Sequence, residues 1–261
     1  MNRGPNLATL AIIPSFARRP QDLEVLETCL TTLRDTTRYS HCAVLVVDDG
    51  SPLEGSVHLA HTFGAGAIRT ENRGFSRAVN VGLRQANYEG RDAVLVNTDI
   101  EFTHKGWLEA MRESPGDVVG ALLLYPKKCV QHSGIYYSSL HRAWSERFKF
   151  APSDLPAVHV ARDCPVTGAL QYIRRTTMET IGYYDEDFRL GWEDVDYCLR
   201  AFDAGLTCRY EPKAVAVHHE SFSRGRKNAQ IEEWTRASWK HLHEKHDGKD
   251  FTVWEHGGQD G

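Results

Sequence analysis

No two cysteines in this chain stand at Cys-x-x-Cys spacing. The six, at positions 29, 42, 129, 164, 198 and 208, are scattered over 261 residues. That argues against a zinc knuckle or a thioredoxin-type dithiol and suits reduced, packed thiols in a cytoplasm. No apolar run approaches the ~20 residues that a membrane-spanning helix needs. Met1 to Leu10 carries one arginine and no apolar core of signal-peptide length. Positive charge is not in excess: 31 Lys and Arg stand against 35 Asp and Glu, a formal net charge of −4. A general nucleic-acid binder would be basic. Internal repeats and low-complexity segments are absent. What remains is an intracellular chain with 41% hydrophobic residues, enough for one large domain with a small appendage.

What is present alternates. Leu7 to Ile13 is an apolar run ended by Pro14 and reads as a buried strand. Gln21 to Thr37 places Leu23, Leu26, Leu30 and Leu33 at helical spacing. Cys42 to Val47 is a second apolar strand, stopping at Asp48-Asp49-Gly50-Ser51. Val57 to Phe63 suits a helix, Ala67 to Arg69 a short strand, and Gly74 to Ala86 a helix. Asp92 to Val96 is a further strand, stopping at Asn97-Thr98-Asp99. Strands alternating with helices predict β-α-β units and a mainly parallel sheet. Ligands of such sheets bind beyond the carboxyl ends of the strands, where both acidic stretches fall. Further strands are expected at Val118 to Leu124 and Ile135 to Tyr137. A proline-rich loop or lid is expected over Phe148 to Pro165 and a terminal helix over Gln230 to His246, followed by a fraying tail from Asp247.

Five clusters carry the chemistry. Gly191-Trp192-Glu193-Asp194-Val195-Asp196-Tyr197 sets three acids at the start of an amphipathic helix with Val195, Cys198, Leu199 and Phe202 on its apolar stripe. Clustered carboxylates repel, and burial makes ionising each of them harder. They have either a chemical role or an ordinary place in a first helical turn, where the dipole favours anions. Asp48 and Asp49 can accept hydrogen bonds from a base or ribose, or simply form an Asp-Gly turn. Asn72-Arg73-Gly74 through Gly82 opens a helix with Arg73 and Arg77 in reach of a diphosphate, or is a capped helix with solvated arginines. Asn97-Thr98-Asp99 offers oxygen ligands to a hard cation such as Mg2+ or Mn2+. His218-His219 ends an apolar run, with Ser223, Arg224 and Arg226 following as phosphate contacts; a histidine there is a further metal ligand or a structural residue.

These pieces in this order resemble the family 2 inverting glycosyltransferases of the GT-A fold, especially the rhamnosyltransferase-like branch. The shared landmarks are Ile13-Pro14-Ser15-Phe16, Val47-Asp48-Asp49-Gly50-Ser51, Asn72-Arg73-Gly74 with Asn80-Val81-Gly82, Asn97-Thr98-Asp99, Val166-Thr167-Gly168-Ala169, Gly182 to Phe188, Trp192-Glu193-Asp194, and Tyr210-Glu211-Pro212 through His218. The resemblance spans residues 8 to 226. It implies a Rossmann-like, mainly parallel sheet with flanking helices, a transferase domain over 1–228 and a C-terminal helix and tail over 229–261. It implies a UDP- or dTDP-sugar donor, a divalent cation (Mn2+ or Mg2+) and a glycan, glycolipid or protein acceptor. Donor contacts are then expected from Pro14, Ser15, Phe16, Asp48, Asp49, Asn72, Gly74, Arg77, Asn97, Thr98, Asp99, Ser223 and Arg224. Asp99 takes the metal position, with Asn97 where the family's Asp-x-Asp motif has its first acid. His218, or else His219, is the further metal ligand. Asp194 is the expected base with Glu193 second, and Gly168 and Trp192 face the acceptor. The lack of an apolar anchor in the C-terminal stretch favours a soluble acceptor. Two other readings share parts of this pattern: a sugar-nucleotide nucleotidyltransferase, and a glycan-binding protein on a degenerate transferase fold.

Overall fold

The structure, a computed structural model, describes residues 8–37, 42–220 and 229–255. Strands β1 (Thr9–Ser15), β2 (Cys42–Asp48), β3 (Gly66–Arg69) and β4 (Asp92–Val96) pair in parallel in the order β3-β2-β1-β4. The connecting helices are α1 (Pro20–Thr36), α2 (Ser56–Thr62) and α3 (Phe75–Tyr88). After β4 come β5 (Ile100–Glu101), α4 (Trp107–Glu113), β6 (Val118–Leu124), β7 (Val130–His132) and the hairpin β8 (Ile135–Ser138) with β9 (Ala143–Glu146). Then follow β10 (Arg162–Asp163), β11 (Leu170–Ile173), α5 (Arg175–Ile181), α6 (Glu193–Asp203), β12 (Cys208–His218) and α7 (Ala229–Lys245). The central sheet runs β10-β12-β6-β11-β4-β1-β2-β3, with β5 paired to β12 and β7 to β6. β12 and β6 are parallel; β11, between β6 and β4, is antiparallel to both.

The central strands read as continuous apolar runs because both of their faces are covered. On one face Ala11, Ile13, Val46, Val94 and Val96 pack with Leu26, Leu30 and Leu33 of α1 and Trp107 of α4. On the other, Leu10, Ile12, Leu45, Val47 and Leu95 pack with Val79 and Leu83 of α3 and Cys198 and Ala201 of α6. Each of the buried Val, Leu and Ile side chains among these stabilises the fold by roughly 1.5–3 kcal/mol relative to exposure. Gly82 brings α3 close to the sheet: a Cβ there would lie 2.3 Å from Ile12 Cγ2. Pro14, expected to end β1, lies inside it. It falls past Ile12, the last β1 residue paired to β4, where a missing N–H breaks no ladder bond on that side.

Two expectations need correcting. The segment 148–165 is no free lid: it makes a short 3-10 turn at Pro156–His159, Val158 is buried, and the Tyr210 hydroxyl donates to the Val158 carbonyl at 2.8 Å. The tail expected to fray from Asp247 returns to the domain, where Phe251 packs against Tyr137 and Trp144, and Trp254 against Phe202. Residues 256–261 of that tail lie outside the described residues. All six cysteines are free thiols, five of them buried. Burial pushes the Cys42 and Cys164 thiols up to about 12. Among the described residues no helix is long and apolar enough to cross a membrane.

Candidate active site

A cavity of about 670 Å³ opens at the carboxyl ends of β1, β2 and β4. Pro14, Ser15 and Phe16 at the end of β1, Asp49 after β2, and Asn97, Thr98 and Asp99 after β4 line it. So do Asn72 and Gly74 before α3, Gly168 before β11, Trp192, Glu193 and Asp194 at the start of α6, and His218 at the end of β12. Residues drawn from seven separate stretches of sequence thus share one space.

Asp49 is held by three donors: Arg73 N at 3.1 Å, Gly74 N at 2.9 Å and Thr70 Oγ1 at 3.2 Å. Burial raises its pKa, and those donors oppose the rise. Its neighbour Asp48 does not reach the cavity. Fully buried, its carboxylate accepts from Ser51 N at 2.9 Å, from the Ser51 hydroxyl and from Arg69 Nη1 at 2.7 Å. Strand alternation separates the two acids: of the two expected donor contacts, Asp49 lines the cavity, and the Asp48 carboxylate fixes the turn at Ser51 instead. Arg77 also falls away from the cavity, its Nε 3.2 Å from Glu186, while Arg73 pairs with Glu71 at 2.5 Å. Basic side chains do line the cavity, but they are Arg18, Lys149 and Arg189. Ser223 and Arg224, the other expected phosphate contacts, lie outside the described residues.

The side of the cavity that holds Asp99 and His218 is assembled by strand pairing. β5 runs antiparallel to β12 with Ile100 opposite His218, which sets His218 beside Asp99. His218 Nε2 lies 3.1 Å from Asp99 Oδ1, close enough for one cation to contact both atoms or for a direct hydrogen bond between them. Gln131 fixes the tautomer: its amide donates to the His218 carbonyl at 3.2 Å, so its oxygen faces His218 Nδ1 at 2.5 Å. Nδ1 therefore carries the proton, and in the neutral ring Nε2 turns a lone pair toward an acidic oxygen. In that form a cation fits between the two acceptors; a doubly protonated ring would instead donate Nε2–H to Asp99. His219, just past the end of β12, is not among the cavity residues, and its Nε2 lies 2.8 Å from Glu101. A second group, Asp185, Asp187 and His241, could also hold an ion. It does not line the cavity, and the Lys245 ammonium already sits 2.6 Å from Asp185. That cation counters the effect of burial and brings the Asp185 carboxyl well below its ordinary range.

On the far side, Gly191 and Trp192 take successive left-handed conformations, φ 78° and 74°. For tryptophan this costs on the order of 1–2 kcal/mol. The turn delivers Glu193 and Asp194 to the first turn of α6. Asp194 Oδ2 accepts from Gly168 N at 2.9 Å and Oδ1 from Val195 N at 2.9 Å. Each oxygen keeps a lone pair for another donor. Glu193 is 7% exposed. Asp196, the third acid, is fully buried and turned away, bonded to Arg200, Lys245 and His246. The sequence reading missed Gln131, His132, Glu146, Arg189 and Trp234, which also line the cavity. Their one signal is polar or aromatic residues adjoining short apolar pieces, as in Val130-Gln131-His132.

Residues 10–155 match the family described as Glycosyl transferase family 2. Over 241 residues the chain is 30% identical to the O-antigen biosynthesis protein RfbC of Myxococcus xanthus, covering 82% of this chain and 18% of that protein. It is 26% identical over 218 residues to the pre-mycofactocin glycosyltransferase of Mycobacterium tuberculosis, covering 82% and 43%. It also matches the uncharacterized protein y4gI of Sinorhizobium fredii at 28% over 221 residues, covering 78% and 24%. The chain spans less than half the length of these curated relatives. Among solved structures, the mannosyltransferase PcManGT from Pyrobaculum calidifontis, solved in complex with GDP-Man and Mn2+, matches with a TM-score of 0.62 at 18% identity. The match covers 93% of this chain and 65% of that one. The fold is GT-A, as the sequence predicts.

Proposed function

The chain belongs to glycosyl transferase family 2, and from that premise we propose that it moves a sugar from a nucleotide-diphosphate donor to an acceptor hydroxyl with inversion. One observation carries this reading: a single cavity holds both the Asp99–His218 pair and the oriented Asp194 carboxylate. A diphosphate site on one side and a base on the other are what a single displacement needs.

Asp49, Asn72 and Gly74 hold the base and ribose, with Pro14, Ser15 and Phe16 forming the adjoining wall. Asp99 and His218, with Asn97 and Thr98 beside them, would hold Mn2+ or Mg2+, which supplies positive charge against the leaving diphosphate. Asn97 in place of an acid removes one negative charge from that shell. Asp194 accepts the acceptor hydroxyl proton. The freed oxygen pair forms the new bond to the anomeric carbon as the bond from that carbon to the diphosphate breaks. The negative charge leaves with the diphosphate, and the proton rests on Asp194. Glu193 is the second acid of the pair. Gly168 and Trp192 mark the acceptor side, joined by Ile231 and Trp234 of α7. Aromatic walls suit the apolar face of a pyranose, so the acceptor is a glycan end, free or carried on a lipid or protein. The donor is a UDP- or dTDP-sugar, and six unpaired thiols suit a reducing cytoplasm.

Thermal melting with UDP, dTDP and GDP, each with and without Mn2+, tests the reading. At least one nucleotide is expected to stabilise the protein, by about 2.7 kcal/mol at a hundred times its Kd. Asp99→Ala and His218→Ala should each remove the Mn2+-dependent part. No stabilisation by any of the three would refute the donor site.

A further inference from the structure

β7 is three residues long and its last two reach opposite halves of the cavity. Gln131 holds His218 on the Asp99 side. His132 turns the other way, toward Glu146 and the Thr167 turn. It is 1% exposed, yet it carries two polar nitrogens. Its Nδ1 makes a close hydrogen bond to a Glu146 carboxylate oxygen of β9. A carboxylate only accepts, so Nδ1 carries the proton and Nε2 is left as an acceptor. Nε2 faces two backbone donors, Gly134 N at 3.3 Å and Thr167 N at 3.4 Å. The next N–H along the chain, Gly168 N, is the one that donates to Asp194 at 2.9 Å. Two successive amides of one turn are thus directed to the histidine and to the proposed base. The turn has little slack, because a Cβ on Gly168 would lie 3.0 Å from the Tyr184 hydroxyl and 3.4 Å from Asp194 Cβ.

We propose that His132, its tautomer fixed by Glu146, is a positioning residue that sets the Asp194 carboxylate through the Thr167–Gly168 peptide. This rests on Asp194 being the base. His132 acts by keeping Gly168 N–H aimed at Asp194 Oδ2. Losing the Nε2 acceptor would leave two amides without their partner and let the turn shift. A displacement of about 1 Å at a reacting group costs on the order of 100-fold in rate.

The test compares His132→Leu, His132→Gln, Asp194→Asn and the double variant His132→Leu/Asp194→Asn. Each is assayed for hydrolysis of UDP-glucose, UDP-galactose, UDP-N-acetylglucosamine, dTDP-rhamnose and GDP-mannose. Melting with UDP, dTDP and GDP plus Mn2+ is measured in parallel. His132→Leu should lower kcat roughly 100-fold with an unchanged donor KM and an unchanged nucleotide melting shift. The Gln side chain can present an oxygen near the Nε2 position, so His132→Gln should recover about tenfold of that loss. The double variant should be no slower than Asp194→Asn alone, since both act on one group. Multiplying losses, or a raised donor KM at constant kcat, would overturn the proposal. So would a His132→Gln variant no better than His132→Leu when both melt as wild type does. An Asp194→Asn variant with full activity would remove the base itself, and a wild type that neither binds nor hydrolyses any donor would remove the transferase reading; either result takes this proposal with it.

Discussion

Asp196 is where α6 and the C-terminal helix α7 are joined, and removing its carboxylate should loosen both. Fully buried on α6, it accepts from Arg200 Nε at 2.9 Å, from Lys245 at 2.9 Å and from His246 Nε2 at 2.9 Å. Breaking a buried ion pair from one side costs roughly 3–5 kcal/mol, and the local geometry places Asp196→Ala at the lower end. Arg200 keeps the Ile181 and Tyr183 carbonyls at 2.9 and 2.8 Å, and Lys245 keeps Asp185 at 2.6 Å. His246 has no such reserve: it is 4% exposed and its Nδ1 has no hydrogen-bond partner. An unsatisfied buried group costs about 1–3 kcal/mol, so a loss near 3 kcal/mol is expected, or a fall in Tm of about 6–12 °C. The pH dependence has a definite sign. Burial pushes the Asp196 pKa up, but His246, Arg200 and Lys245 outweigh it and the folded value is lowered. The stabilisation is therefore complete above the unfolded carboxylate value of about 3.9 and is lost as pH falls through the folded one. Urea unfolding of wild type and variant at pH 7 and pH 3 measures both terms. A difference below 1 kcal/mol at pH 7, or one that grows in acid, would refute this account of the junction.

Asp194→Asn should lower kcat by about 10²–10⁴-fold while leaving nucleotide-induced melting shifts intact, because only the proton acceptor is lost. Normal turnover in that variant would show that another group is the base. Gly82→Ala should destabilise by about 2 kcal/mol in urea: its Cβ would sit 2.3 Å from Ile12 Cγ2, and overpacking of ~1–3 kcal/mol exceeds the gain in helix propensity. A neutral substitution would mean that α3 can back away from β1 without loss.

The first four strands were legible because burial on both faces makes them uninterrupted apolar runs, and the acids that stop them mark the ligand edge. Asp49 and Asp99 were found that way. Asp48 was not separable from Asp49 by composition; only the direction of the strand end tells which carboxylate turns inward to Ser51 and Arg69. Arg77 looked phosphate-facing from its place in the first helical turn, but Glu186, more than a hundred residues later, takes its Nε. α4 and α5 are seven residues each, two turns, too short for a convincing apolar period. β11 is four residues with Gln171 fully buried inside it, so its alternation reads as none. The same reason hides His132: its burial follows from a tertiary contact with Glu146, and no local pattern announces it.

β11 also explains why the site closes. The parallel half of the sheet delivers its functional groups at carboxyl ends, which is where Asp49, Asn97 and Asp99 emerge. A base on the same edge must come from an element that starts there. β11 does so because it runs antiparallel to β4: Leu170 stands opposite Val96, and Asn97 N donates to the Ala169 carbonyl at 2.9 Å. The turn entering β11, Thr167–Gly168, is thereby placed beside the acidic turn leaving β4. From there Gly168 N reaches Asp194 of α6. β5 does the equivalent on the other flank, where its antiparallel pairing to β12 sets His218 against Asp99. One parallel edge and two antiparallel reversals thus gather residues 49 to 218 around one cavity. Substitutions that shift the β4–β11 register should for that reason reach Asp194 before they reach Asp99, whose own pairing runs through β5.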